Sequence, residues 1–331
     1  MNERGVDDCG LRVCSEPLRR PLSAAADAHV GVWDSGDADF SGGMSGDATD
    51  PEATEIPSAT PADRPSRPKE AALRRGEVVV LLPALNEEGA IGHVIDRIPR
   101  QALAVQGYDV SVWVVDGQST DRTMEIARER GASTYVQTGT GKGNAMRQAL
   151  DHLLAQSRMR NPHADQFFVM LDADGSYPAE EITRFVEILE SGGDIVLGSR
   201  MDGPMAEGAM SDMNRLGNRL LSRLATLLFH VPVTDVCTGM WGFRDDAVRG
   251  GGLVAEGFDL EADLFASACE RKIRIREVPI QYGARIGEPK LVPLRTGLVI
   301  AWRLLMRRLA RPATESFRPQ SSSAATPEEA A

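Results

Sequence analysis

The sequence predicts an α/β protein built on a doubly wound, mostly parallel sheet with flanking helices. Two observations carry this reading. Short β-rich apolar runs alternate with stretches of helical spacing across residues 77–198, the order expected when each parallel strand is followed by a crossover helix. The best-formed of these runs, 78–82 and 167–171, are apolar at every position rather than every second one, as in strands buried on both faces. A third observation concerns use. Several runs end in acidic, amide or glycine residues, and open α/β sheets bind ligands at the carboxyl ends of their strands.

The elements follow in order. Residues 77–82 read as the first strand, stopped at Pro83, and 87–98 continue with helical spacing. Residues 110–115 lead into Asp116-Gly117-Gln118-Ser119-Thr120-Asp121 and a helix over 122–130. Strand 132–137 precedes a helix over 142–155, and strand 167–171 precedes one over 178–189, with a proline near the first turn, where its missing N–H is harmless. Residues 194–198 are the fifth strand. Further on, Arg215, Arg219 and Arg223 recur every four residues along one helical face, while Leu216, Leu220, Leu224, Leu227 and Leu228 take another. Residues 293–311 form a basic amphipathic helix that either lies on an anionic membrane surface or docks on the domain.

Composition bounds the rest. Of 331 residues, 1–75 are predicted to be a disordered acidic, low-complexity tail, and 312–331 a second tail, because neither shows apolar periodicity that could offset ordering entropy. One domain, 76–292, remains. Deleting residues 1–67 is therefore expected to leave the thermal midpoint and turnover nearly unchanged in a melting and activity comparison. A net charge of −11 disfavours nucleic acid as a partner. The first ten residues lack an apolar core and no run of 18 apolar residues occurs, so a cytoplasmic chain without signal peptide or membrane span is expected. Cys9, Cys14, Cys237 and Cys269 fit no zinc spacing. Two read as tail thiols and two as core residues.

Chemistry gathers at strand ends. Leu171-Asp172-Ala173-Asp174-Gly175 delivers two carboxylates one residue apart. Such hard oxygen ligands suit Mg²⁺ or Mn²⁺ bridging to a diphosphate, although the same pattern also serves as an ordinary turn and helix cap. Gly139-Thr140-Gly141-Lys142-Gly143-Asn144 opens a helix whose amides could face phosphate, with Lys142 as a point charge. It is not a Walker A loop, since Gly143 stands where Ser or Thr would follow the lysine. A plain flexible helix entry is the alternative.

The set Pro-Ala-Leu-Asn-Glu-Glu (83–88), Val-Asp-Gly-Gln-Ser-Thr-Asp-Arg-Thr (115–123) and Leu-Asp-Ala-Asp-Gly (171–175) resembles the family 2 GT-A glycosyltransferases. The resemblance extends through Gly198-Ser199-Arg200, 235–243, 257–261 and 285–291, covering essentially residues 77–292. Val278-Pro279-Ile280 with Arg285 and Gly287-Glu288-Pro289-Lys290-Leu291 resembles the polyprenyl- and dolichyl-phosphate sugar synthases, and Asn214-Arg215-Leu216-Gly217-Asn218-Arg219 their archaeal hexosyltransferase members. The chain departs from the family in Ala84-Leu85 for Thr-Tyr, Gly117 for a second Asp, and Pro289 for Ser.

That resemblance implies an inverting transferase with the GT-A fold. It implies that Asp172 and Asp174 place Mg²⁺ or Mn²⁺ on the diphosphate of an NDP-sugar, and that Pro83, Leu85, Glu87, Asp116, Lys142 and Ala173 complete the donor site. Arg200, Arg285 and Lys290 would gather the acceptor phosphate, and Glu261 would orient the arginines or the sugar; Arg215 and Arg219 join the acceptor set where their helical stripe faces the acceptor, the alternative being a solvated face. Asp174, Glu261, Arg200 and Arg285 are thus the expected catalytic set. The expected reaction moves a hexose, with UDP-glucose or a related UDP-hexose as donor, to dolichyl or polyprenyl phosphate at the cytoplasmic membrane face, supplying lipid-linked sugar for protein glycosylation. A soluble glycosyltransferase with a small polar acceptor, and a catalytically idle sugar-nucleotide binding module, are the alternatives.

Overall fold

The computed structural model describes residues 75–160, 165–287 and 293–310. The expected tails and Lys290 lie outside them. Strands β1 (Gly76–Ala84), β2 (Tyr108–Asp116), β3 (Ser133–Val136), β4 (Asp165–Met170), β5 (Ile195–Ser199) and β7 (Ile275–Pro279) all point one way, and β6 (Trp241–Arg244) runs against them. The sheet order is β3-β2-β1-β4-β6-β5-β7. The five expected strands are present and the sheet is mostly parallel. β6 and β7 lie beyond them. Four residues, Trp-Gly-Phe-Arg, are too few to show a period, yet β6 pairs with both β4 and β5.

The central strands are buried on both faces. On β1, Val78, Val80 and Leu82 face one core, and Val79 and Leu81 the other. The first core packs α1 (Ile91–Asp96), α2 (Arg100–Val105), α3 (Thr123–Glu129) and α5 (Ile182–Glu190). The second packs α4 (Lys142–Arg160), α6 (Asp212–Phe229), α7 (Asp245–Val248), α8 (Leu260–Glu270) and α9 (Pro293–Leu309). The result is a three-layer α/β/α arrangement.

One helical expectation changes. The expected helix over 87–98 shortens to α1, and a further helix, α2, follows beyond it after Ile98-Pro99. A residue before proline is disfavoured in the α region, and at the other end Asn86 takes a left-handed φ of 50° before the Glu87 carbonyl starts the turn. On α6 the leucines do not form the inward face. Asn218, Ser222 and Ala225 are buried, Leu224 and Leu228 are half-buried, and Leu216, Leu220 and Leu227 are exposed. The polar inward residues have work to do: Asn218 Nδ2 donates to Asp235 Oδ1 at 2.8 Å, and Ser222 Oγ accepts from Val236 N at 3.0 Å.

Helix α9 docks on the domain. Ile300 and Leu304 are buried, Arg303 pairs with Asp259, and Arg307 pairs with Asp263 and Glu270. No described helix is long and apolar enough to cross a membrane. Cys237 and Cys269 are free, and burial pushes both thiols up to about 12, as for packing residues.

Candidate active site

Because six strands run parallel, their carboxyl ends share one rim. The antiparallel β6 begins at that rim, so the segment before it, 235–240, lies there as well.

At the β1 and β2 ends, two loops are bolted together. Asn86 Oδ1 accepts from Thr120 N at 2.8 Å, Glu87 N donates to Thr123 Oγ1 at 2.8 Å, and Glu88 N donates to Asp121 Oδ2 at 3.1 Å. Asp116 is 2% exposed, and its carboxylate accepts from Gln118 N, Ser119 N and Ser119 Oγ, the last at 2.6 Å. It therefore builds the turn whose outer surface could receive a nucleoside. Leu85 stands exposed beside it, while Pro83 is half-buried and Ala173 fully buried.

The Gly139–Asn144 loop behaves differently from a phosphate cradle. Gly143 N donates to the Gly257 carbonyl at 3.1 Å and Asn144 N to that of Glu256 at 3.0 Å. A side chain at Gly141 or Gly143 would collide with the backbone of residues 255–256. The glycines thus permit close approach of the segment that leads into α8. That approach brings Lys142 to Glu261. Its Nζ lies 2.5 Å from Asp172 Oδ1 and 2.6 Å from Glu261 Oε1. Burial works against the Lys142 charge, but Asp172 and then Glu261 outweigh it and hold the ammonium above its ordinary range. Burial pushes the Glu261 carboxyl up, with Lys142 opposing. Removing one partner from such a site strands the others. Lys142→Met is expected to cost about 3 kcal/mol or more, read as a lower urea midpoint with an unchanged m-value.

Asp174 forms a second cluster. Its Oδ1 accepts from Ser176 N at 3.0 Å and Ser176 Oγ at 2.5 Å, while Oδ2 faces Arg285 Nη2 at 2.7 Å. Arg285 Nη2 also lies 3.8 Å from Glu87 Oε1. Arg285 is carried across the site by a strap in which Gly283 N donates to the Ser176 carbonyl and Ile286 N to the Asp174 carbonyl, both at 2.8 Å. Its buried Nε has no hydrogen-bond partner among the described residues. Each of Asp172 and Asp174 thus has one oxygen against a cation. Exchange of those cations for a divalent ion would leave two hard oxygen ligands, to be completed by diphosphate and water, which is the chemistry Mg²⁺ and Mn²⁺ use. The residues fit that group. Among the described residues no three His, Cys, Asp or Glu converge as a cage of their own.

Arg200, 9% exposed, makes a two-pronged pair with Asp235: Nε to Oδ2 and Nη2 to Oδ1, each 2.7 Å. Its guanidinium lies 5.2 Å from the Tyr282 ring centroid. Arg215 reaches the same neighbourhood, with Nη2 3.0 Å from Met205 Sδ, and Met205 bridges to Tyr282. Arg219 remains on the outer surface.

Three supporting residues were not singled out in the sequence: Asp235, which holds Arg200, and Asn218, which holds Asp235, both inside segments that carry the family resemblance, and Glu277. Both Glu277 oxygens accept from Thr234 N, at 2.9 and 3.0 Å, and Oε1 also accepts from Asp235 N at 3.0 Å. Burial raises the Glu277 carboxyl from 4.5 to about 7. A raised acid stabilises the fold below its unfolded value and loses that contribution as pH rises through its folded value. Relative to Glu277→Gln, the native chain is therefore expected to lose roughly 3 kcal/mol between about pH 4.5 and 7. Urea titrations at several pH values test this.

Comparison with known proteins agrees with this architecture. Residues 79–252 match the model of glycosyl transferase family 2. The chain is 33% identical to the glycosyltransferase AglJ of Haloferax volcanii over 233 residues, 70% of this chain and 71% of that one. It is 35% identical to a dolichyl-phosphate hexose transferase of the same organism over 226 residues, 68% of this chain and 90% of the relative. Glucosyl-3-phosphoglycerate synthase from Mycobacterium tuberculosis, solved with Mn²⁺ and UDP-glucose, superposes with a TM-score of 0.53 at 23% identity, covering 72% of this chain and 81% of that one. That likeness shows the GT-A fold. The chain therefore belongs to glycosyl transferase family 2 and is a glycosyltransferase.

Proposed function

We propose that the enzyme transfers a hexose from an NDP-sugar, preferably UDP-glucose or a related UDP-hexose, to a polyprenyl or dolichyl phosphate with inversion at the anomeric carbon. The observation that carries this reading is the pairing of two rim carboxylates with cations, Asp172 with Lys142 and Asp174 with Arg285, beside the buried Arg200. Such a rim suits two anionic reactants brought together. The named activity of the Haloferax dolichyl-phosphate hexose transferase supports the lipid acceptor.

In this reading the loops at Glu87 and Asp116 receive the nucleoside, and Asp172 and Asp174 are the residues that would hold Mg²⁺ or Mn²⁺. When bound, that ion supplies Lewis-acid stabilisation of the departing diphosphate. The acceptor phosphate is already an anionic nucleophile near pH 7, so no strong general base is required. Arg200, Arg215, Arg285 and Lys290 neutralise and aim it. A phosphate oxygen forms a bond to C1 of the sugar as the C1–O bond to the diphosphate breaks, and the electron pair leaves with the NDP. Glu261, held by Lys142, orients the sugar or the neighbouring cations.

The site of action is proposed to be the cytoplasmic membrane surface. A panel of labelled UDP- and GDP-sugars incubated with dolichyl phosphate and Mn²⁺ tests the reaction. Label in the organic phase is the expected result. Label only in a water-soluble product would favour a small polar acceptor, and no product with any donor would reduce the protein to a binding module.

A further inference from the structure

We propose that the outer face shared by α6 and α9 docks on an anionic lipid bilayer, an inference that rests on the lipid-phosphate reading and gives it a surface. The inward turn of Asn218 and Ser222 leaves Leu216, Leu220 and Leu227 exposed on α6. On α9, Leu298, Trp302 and Leu309 are exposed with the same intervals of four and seven residues. Those intervals keep each set on one stripe of its helix. Single exposed leucines are ordinary, whereas stripes on two neighbouring helices mark an interaction surface. The helices pack against each other, and their C-terminal ends meet where Arg308 Nε donates to the Leu228 carbonyl at 2.9 Å.

Charge selects the occupant. Arg219, Arg223 and Arg295 are exposed, and none forms an ion pair among the described residues. α9 contains no Asp or Glu and α6 only Asp212, in a chain of net charge −11. A basic, apolar face on an acidic protein complements anionic head groups over an acyl boundary. A second copy meeting this face about a two-fold axis would set arginines against arginines. The same helix also supports Arg200 through Asn218 and Asp235. Docking and acceptor capture therefore use one helix.

The test uses the full chain with phosphatidylcholine vesicles, either pure or containing about one-quarter phosphatidylglycerol, in co-sedimentation at low and high salt. Binding to the anionic vesicles, weakened by salt, is expected. Each arginine near such a surface contributes about fivefold in partitioning, so Arg223→Ser with Arg295→Ser should weaken binding about 25-fold. Leu298→Ser with Trp302→Ser should weaken it comparably, and brominated lipid should quench native fluorescence but not that of this variant. Circular dichroism melts establish that both variants fold. A chain that stays in the supernatant with both vesicle types, or variants that bind as well as the native chain, would overturn the proposal. So would a dimer in sedimentation velocity that these substitutions dissociate, which would assign the face to a second copy. Transfer to a water-soluble short-chain isoprenyl phosphate needs the active site but not the surface, and both variants should retain it. Loss of vesicle binding with that transfer intact in the native chain would reject the surface and leave the reaction standing.

Discussion

Asp174→Asn is expected to retain the fold and lose most turnover. The side chain is nearly isosteric, and its remaining oxygen can still accept from Ser176 N and Oγ, the bonds that shape the turn after β4. The other position changes character. Where Asp174 Oδ2 now faces Arg285 at 2.7 Å, an amide would set donors against donors and remove one unit of negative charge from a proposed metal ligand. Loss of Lewis-acid stabilisation of the diphosphate is worth several kcal/mol, so kcat should fall at least about a hundredfold. The stability cost should be smaller, about 1–3 kcal/mol, because one buried charged hydrogen bond is lost rather than a core contact. EDTA should silence the native enzyme to the same extent, and Mn²⁺ should restore it. Full activity of the native enzyme in chelator would remove the metal from the scheme.

The fold was legible in the sequence where burial is uniform. β1 and β4 lie at the centre of the sheet, so nearly every side chain is apolar and the runs stand out. The rim was legible for a related reason: a buried strand that ends abruptly in Asp172 or Asp116 marks where the chain meets solvent. β6 was not, because its four residues are held by ladders to strands far away in sequence rather than by any local pattern. The partners within the site were hidden in the same way. Lys142 and Glu261 are 119 residues apart, and Arg200 and Asp235 are 35 apart. Glycines around Lys142 looked like a cradle for an anion, whereas the neighbouring Gly143 and Asn144 amides are consumed by residues 256–257. On α6, the buried Asp235 needs polar neighbours, and Asn218 takes the inward place, a pairing that no spacing within the helix could show.

Arg285→Ala is expected to separate acceptor from donor chemistry. Arg285 lies on Asp174 and near Glu87, and among the described residues its buried Nε is without a partner. A guanidinium so placed has two assignments. It either neutralises the donor-side carboxylates permanently, or is released from Asp174 when the donor complex forms and turns to the acceptor phosphate. The unused Nε and the strap that carries Arg285 over Asp174 favour the second. A charge-assisted phosphate contact in a partly dry site contributes about 1.5–3 kcal/mol, so transfer to lipid phosphate should fall roughly 10- to 150-fold. The donor side should move the other way. Removing a cation from Asp174 leaves its carboxylate more attractive to Mn²⁺, so Mn²⁺-dependent UDP binding, followed by calorimetry, should be unchanged or tighter. If Arg285→Ala weakens nucleotide binding and leaves the dependence of rate on lipid phosphate intact, the arginine serves the donor and the acceptor must be held by Arg200, Arg215 and Lys290 without it.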